Sequence, residues 1–160
     1  MESLEFLYLC CELSIGLIGF TAIVAAFGGR DRSFTGPEQV RIWNVFLSGG
    51  CVLATSFIGI AVIHSGLEEA IAFQIMGVAG IVGMLANGLP AAKDSIKFLK
   101  DDTKTTGPWS IVLSFVSGIA VVGCFIAAVF VAQLWLISIA FGIYLTIGVV
   151  MFFRLLTRLN

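Results

Sequence analysis

The chain has 160 residues, of which 59% are hydrophobic and only 12% are charged, and its formal net charge is −1. Soluble domains average roughly 45–50% apolar and about 25% charged residues, so this composition excludes a soluble globule, a disordered chain and a coiled coil. It also excludes nucleic acid as a partner, because no basic surplus is present to bind phosphates. The remaining class is an integral membrane protein, with the lipid bilayer as its surroundings.

Apolar runs along the chain predict the membrane-spanning helices. A span needs about 20 mostly apolar residues, because ~30 Å of hydrocarbon is crossed at ~1.5 Å per residue. The uncharged stretch from Trp109 to Phe153 is too long for one span, so it must turn back, and we place the turn near Ala132–Leu134. The predicted spans are about residues 4–27, 42–63, 70–89, 109–131 and 134–153.

The chain is therefore predicted to be all-α, a single bundle of five transmembrane helices. Four helices are the alternative if the first apolar run lies in the membrane interface. Core helices of a soluble protein are seldom apolar on every side over 20 residues, and strands of a membrane barrel would alternate polar and apolar residues. Neither pattern is present here.

The distribution of basic residues predicts the orientation, because lysine and arginine collect in cytoplasmic loops. With five crossings, all nine basic residues fall on one side of the membrane, in the first loop, the third loop and the C-terminal end. They are Arg30, Arg32, Arg41, Lys93, Lys97, Lys100, Lys104, Arg154 and Arg158. We therefore expect the N-terminus outside and the C-terminus in the cytoplasm, in a cell inner (plasma) membrane.

The third loop contains residues 92–104, where four lysines recur at helical spacing. Ile96 and Leu99 lie between them, and three aspartates offset most of the charge. Two interpretations are equally open. The segment is either a short helix lying on the inner membrane surface or a solvated, salt-bridged loop.

Residues that could carry catalysis or bind a cofactor are few. The single histidine excludes a zinc site built from spaced His and Cys ligands, and no nucleophile elbow, phosphate loop or dinucleotide motif is present. The four cysteines all fall inside predicted spans, where free cysteine packs as a small hydrophobic residue. We therefore expect no enzymatic activity, no cofactor and no metal.

Glu12 is the most informative polar residue. It lies about 12 Å beyond Leu4 along the first predicted helix, where a carboxylate costs a few kcal/mol and is a functional candidate by default. Under the predicted topology, His64 and Gln74 occupy the same leaflet, so the three could form an outward-opening site for a proton or cation. The alternatives are a protonated Glu12 bonded to Gln74 or Ser14, or a Glu12 that lies near the headgroups.

Small residues recur at helical spacing on the third and fourth helices. In lipid, small side chains let two helix backbones approach closely enough for dispersion to hold them together. These positions predict packing inside the bundle, with a subunit interface as the alternative. They are Gly77, Gly80, Gly83, Ser114 and Gly118.

Two functions remain open on these observations. The first is a non-enzymatic membrane protein that acts through helix–helix association, as a subunit or accessory component of a complex or as a homo-oligomer. The second is an oligomeric ion or proton channel or transporter subunit that uses the intramembrane Glu12. Five helices without a visible inverted repeat offer too little for a complete secondary transporter in one chain.

Overall fold

The computed structural model describes residues 2–28, 34, 36–101 and 108–159, and it describes their side chains except those of residues 37, 87–101, 108–115 and 157–159. These residues form five helices and no strand, which confirms the predicted all-α class. The helices are α1 (Glu2–Gly28), α2 (Gly36–His64), α3 (Glu69–Asp101), α4 (Pro108–Val131) and α5 (Leu134–Leu159).

Four of the helices contain a stretch that is long and apolar enough to cross a membrane. In α4 the described side chains cover only Val116–Val131, although the helix itself has 24 residues. Helices suit this environment because they satisfy every backbone hydrogen bond internally, where lipid offers no partner. The four stretches are Glu2–Gly28, Glu38–His64, Glu69–Ala86 and Leu134–Leu156.

The third helix is longer than we expected. It continues without a break to Asp101, so residues 92–101 of the lysine-rich segment are part of α3 and not a separate helix or loop, and residues 102–104 lie outside the described residues. Its 33 residues span ~50 Å at ~1.5 Å per residue, well beyond the ~30 Å of hydrocarbon. The expected positions of the lysine side chains lie outside the described residues.

Successive helices run in opposite directions across the bundle. The Ser3 hydroxyl donates a 2.8 Å hydrogen bond to the Glu69 carboxylate, and the rings of Phe6 and Phe141 stack with centroids 6.4 Å apart. These contacts bring the beginnings of α1, α3 and α5 to one end of the bundle. We call it the acidic end, because Glu2, Glu5, Glu68 and Glu69 lie there.

Two short loops at the acidic end connect neighbouring helices. The α2–α3 loop turns at Gly66, whose φ of 81° is readily adopted by glycine. The α4–α5 loop comprises Ala132 and Gln133, and Ala132 has a φ of 51°, which is uncommon for a residue with a Cβ. The chain therefore turns back where its long charge-free stretch requires a turn.

The centre of the bundle is formed by α2 and α5. Helix α5 contacts all four other helices, and α2 contacts α1, α3 and α5. Phe125 of α4 is completely buried and meets Phe141 edge-on and Tyr144 at a tilt, with centroids 6.3 and 6.4 Å apart. Aromatic and aliphatic packing thus joins α3, α4 and α5.

The buried polar side chains have a different distribution. Among the residues whose side chains are described, those that are polar and buried all lie on α1 or α2. The buried polar side chains are thus concentrated on α1 and α2, whereas the buried side chains described on α3, α4 and α5 are apolar. The buried polar residues are Ser3, Ser14, Thr21, Glu38, Arg41, Ser48, Thr55 and Ser56.

Candidate functional site

Glu12 lies on the outer surface of the bundle. The inward face of α1 carries Leu7, Cys10, Cys11 and Ser14, all of them buried. Glu12 is exposed and lies on nearly the opposite side of the helix, given about 100° of rotation per residue. It is ten residues from Glu2, which places it ~15 Å along the axis from the start of α1. In the membrane this face meets lipid or another protein.

The other two candidate site residues are exposed as well. His64 is the last residue of α2, and its Nδ1 donates to the Ile60 carbonyl at 3.0 Å. Gln74 lies on the exposed side of α3. Within the described part of the chain, no hydrogen bond or ion pair joins Glu12, His64 and Gln74, so one copy of the protein does not assemble them around a common cavity.

The face of α1 that contains Glu12 has a regular composition. Its exposed residues recur in steps of three and four, giving the seven-residue repeat that is typical of a helix packed along another helix. Near the acidic end these residues are mainly polar, and toward the other end they are small. We call this set the α1 seam; it consists of Glu5, Tyr8, Glu12, Ile15, Gly19, Ala22 and Ala26.

A neighbouring strip of α1 provides a direct comparison. From Leu9 onward its exposed side chains are large and apolar, as expected for a helix surface that faces lipid. The strip consists of Leu9, Leu13, Phe20 and Phe27, which are 51–69% exposed. The α1 seam therefore differs from an ordinary lipid-facing surface in two respects, since it carries an exposed carboxylate within an apolar helix and has small side chains over its second half.

Close helix contacts occur at the predicted glycine positions on α3. A Cβ at Gly77 would lie 2.8 Å from the Phe125 carbonyl oxygen, and one at Gly80 would lie 2.6 Å from the Phe125 ring. A Cβ at Gly83 would lie 3.2 Å from the Cys51 sulfur of α2. Each of these glycines therefore faces a helix of the same chain.

Gly118 and Ser114 are the predicted packing positions on α4. A Cβ at Gly118 would lie 3.3 Å from the Met84 methyl group of α3, so this glycine also faces a neighbouring helix. Ser114 belongs to α4, but its side chain lies outside the described residues.

A groove of about 180 Å³ lies between α2 and α3. Its lining is apolar apart from Cys51 and Thr55, and the Thr55 hydroxyl donates to the Cys51 carbonyl at 2.7 Å. Gly50, Ala54 and Gly83 leave space on its walls. The groove presents no acid, base or charged group, so it offers a surface for apolar contact and not a catalytic centre.

Metal ligands are not brought together in the part of the chain that the structure describes. Among the described side chains, no group of three His, Cys, Asp or Glu residues could hold a metal ion. The four cysteines are free thiols on three different helices, and Cys10, Cys11 and Cys51 are buried. Their positions fit the packing role expected from the sequence.

Two buried features were not anticipated from the sequence. Ser14 and Ser56 are completely buried on α1 and α2, and their hydroxyls make no hydrogen bond with the described residues. Glu38 and Arg41 are also buried, at 3% and 9% exposure, near the start of α2. The only available signal was the three-residue spacing of these two opposite charges beside a predicted span.

No family model matches the chain, and neither the curated proteins nor the solved structures contain a match.

Proposed function

We propose that the protein is a non-enzymatic membrane protein that acts by helix–helix association, with the α1 seam packing against the α1 seam of a second copy. The observation that carries this proposal is the position of Glu12. Its carboxylate is exposed on α1, ~15 Å along the helix axis from Glu2, and at the centre of a span a charge costs about 2.5–3.5 kcal/mol on insertion scales.

A second copy would supply a hydrogen-bond donor to the Glu12 carboxylate. Tyr8 lies one turn before Glu12 on the same seam and is 48% exposed, so its hydroxyl is available as a donor. Two copies in the same membrane orientation are parallel, and a two-fold axis between them lets Tyr8 of each reach Glu12 of the other. Gly19, Ala22 and Ala26 then allow the two backbones to approach closely.

This proposal predicts that enlarging Gly19 disrupts association without disturbing the single chain. A Cβ at Gly19 meets no atom of its own chain within 4 Å, so Gly19→Leu adds bulk only outside the bundle. We expect the variant to dissociate at a protein concentration at least ~10-fold above that of the wild type. The measurement is light scattering of the protein in detergent, compared with the chain mass of 17.1 kDa.

Phe20→Leu is the matched control, because it places the same side chain one residue further, on the lipid-facing strip. It should associate as the wild type does. A wild-type mass of one chain at every concentration would rule out self-association, as would equal behaviour of the two variants. Constant co-purification with another membrane protein would instead favour an accessory subunit.

An oligomeric ion or proton channel is the second candidate, and it is favoured by the same exposed carboxylate. Several copies around an axis would bring their Glu12 side chains into a ring that faces a pore. Ion flux into liposomes containing the wild type or Glu12→Gln tests this function. If the protein is a channel, the wild type gives an ion flux that Glu12→Gln reduces. Background flux in both samples would rule out the channel.

The proposed orientation places the acidic end outside and the C-terminus in the cytoplasm, in the inner or plasma membrane. Its support is the charge distribution, since Glu2, Glu5 and Glu69 lie at the acidic end whereas Arg41 and Arg154 lie toward the other. We expect an N-terminal epitope tag to bind antibody on intact cells and a C-terminal tag to do so only after permeabilisation. Equal accessibility of both tags would contradict five crossings.

A further inference from the structure

Two buried hydroxyls differ from the other described hydroxyls inside the helices. Serine and threonine in membrane helices commonly donate to a carbonyl of the preceding turn. Ser14 and Ser56 do not, although neither has any exposed surface, and their Oγ atoms lack a partner. The hydroxyls that do form such bonds are Thr21 to Leu17, Ser48 to Val45, Thr55 to Cys51, Ser138 to Leu134 and Thr146 to Gly142.

The register of α1 and α2 places these hydroxyls on the same interface. The Cβ position of Gly49 lies 3.6 Å from the Ser14 carbonyl oxygen, and that of Gly59 lies 3.1 Å from Leu7. The helices are therefore antiparallel, with Ser56 level with Cys11 and about one turn, ~5 Å along the axis, from Ser14. The Ser56 hydroxyl lies beside the Cys11 thiol without forming a hydrogen bond of ordinary geometry.

We propose that a buried water molecule binds between α1 and α2 and bridges the hydroxyls of Ser14 and Ser56. Leaving two buried hydroxyls without partners is costly, and in hydrocarbon no bulk solvent can relax that cost. Water fits the chemistry of the site, because a buried water needs two to four polar partners. The two hydroxyls and the adjacent Cys11 thiol supply three. This inference does not depend on the proposed self-association.

The competing arrangement is that each hydroxyl rotates to a carbonyl of its own helix, as the hydroxyls of Thr21, Thr55 and Ser138 do. The two arrangements differ in whether removing one hydroxyl changes the effect of removing the other. A shared water links Ser14 to Ser56 across the interface, so removing either hydroxyl leaves the water and the other hydroxyl poorly bonded. Two bonds within separate helices would be independent and therefore additive.

A double-mutant cycle of Ser14→Ala and Ser56→Ala tests the bridge. We expect each single variant to raise the unfolding equilibrium constant in detergent by about fivefold to tenfold. The unfolding equilibrium constant of the double variant should exceed that of either single variant by less than about twofold. Ser138→Ala, which removes a hydroxyl bonded within its own helix, is the matched control and should not couple to Ser14→Ala.

An infrared measurement provides a readout that a change in stability alone would not move. The difference between wild type and Cys11→Ala isolates the S–H stretching band of Cys11. If the water is present, this band shifts in Ser14→Ala, because the Ser14 hydroxyl is linked to the thiol through the water, and the thiol exchanges in D₂O. Additive or neutral alanine substitutions together with an unshifted, non-exchanging band would overturn the inference.

Discussion

Phe125→Ala is expected to destabilise the bundle by about 2–4 kcal/mol. Phe125 is completely buried against Phe141, Tyr144 and the glycine surface of α3, so truncation leaves a cavity that these rigid neighbours fill poorly. Phenylalanine truncations in soluble cores cost about 3–5 kcal/mol. The destabilisation expected for Phe125→Ala begins at a lower value, because lipid would surround the ring once the helices separate. The variant therefore loses mainly the dispersion contacts of the ring.

Phe130→Ala is the matched control for this prediction. Phe130 lies five residues further along the same helix and is 81% exposed, so its ring contacts lipid more than protein. We expect its effect to stay within about 0.5 kcal/mol. The measurement is the free energy of unfolding of both variants in the same detergent, followed by the loss of helical circular dichroism. Equal effects would show that the aromatic cluster does not hold α4 in place.

Gly77→Ala should also destabilise the protein, and Gly77→Leu should prevent α3 and α4 from packing. The added Cβ would lie 2.8 Å from the Phe125 carbonyl oxygen and 3.2 Å from the Val129 backbone nitrogen. Backbone atoms of a helix cannot move aside as the end of a side chain can, so α4 must shift as a unit. Overpacking of this kind costs about 1–3 kcal/mol, partly offset in Gly77→Ala by about 0.5–1 kcal/mol of helix propensity.

Gly123→Ala is the control, because we expect it to change the free energy of unfolding in the opposite direction. Gly123 is exposed on α4, and a Cβ there meets no atom within 4 Å. The substitution keeps the gain in helix propensity without a clash, so this variant should be neutral or up to about 1 kcal/mol more stable than wild type. Thermal unfolding of both variants in the same detergent gives the comparison. A stabilised Gly77→Ala would mean that α3 and α4 are not in contact at this position.

The number of helices could be predicted because hydropathy measures the preference for lipid directly. The stretch from Trp109 to Phe153 was too long for one span, and the structure divides it at Ala132 and Gln133. No glycine marks this turn, because Ala132 itself adopts the left-handed conformation. The end of α3 could not be predicted in the same way. Hydropathy falls where a helix leaves the hydrocarbon, but its hydrogen bonds can continue in water, as they do to Asp101.

The candidate site could be predicted only as a face of one helix. Glu5, Tyr8 and Glu12 do share a face of α1, as their spacing requires. Whether that face points inward could not be inferred, because α1 is apolar on nearly all sides and lipid is as apolar as a protein core. The contrast between an apolar interior and a polar exterior that soluble proteins show is absent. Placing Glu12 near His64 therefore depended on leaflet alone, which does not specify the face of the helix.

The central position of α5 has a consequence for biogenesis. This helix contacts each of the other four but follows all of them in the chain, so it reaches the membrane after they have been inserted. Hairpins of α1 with α2 and of α3 with α4 can form first, but the surfaces that they present to α5 must remain uncovered during synthesis. A bundle without α5 would therefore leave the faces of α1, α2, α3 and α4 that contact α5 uncovered in the bilayer.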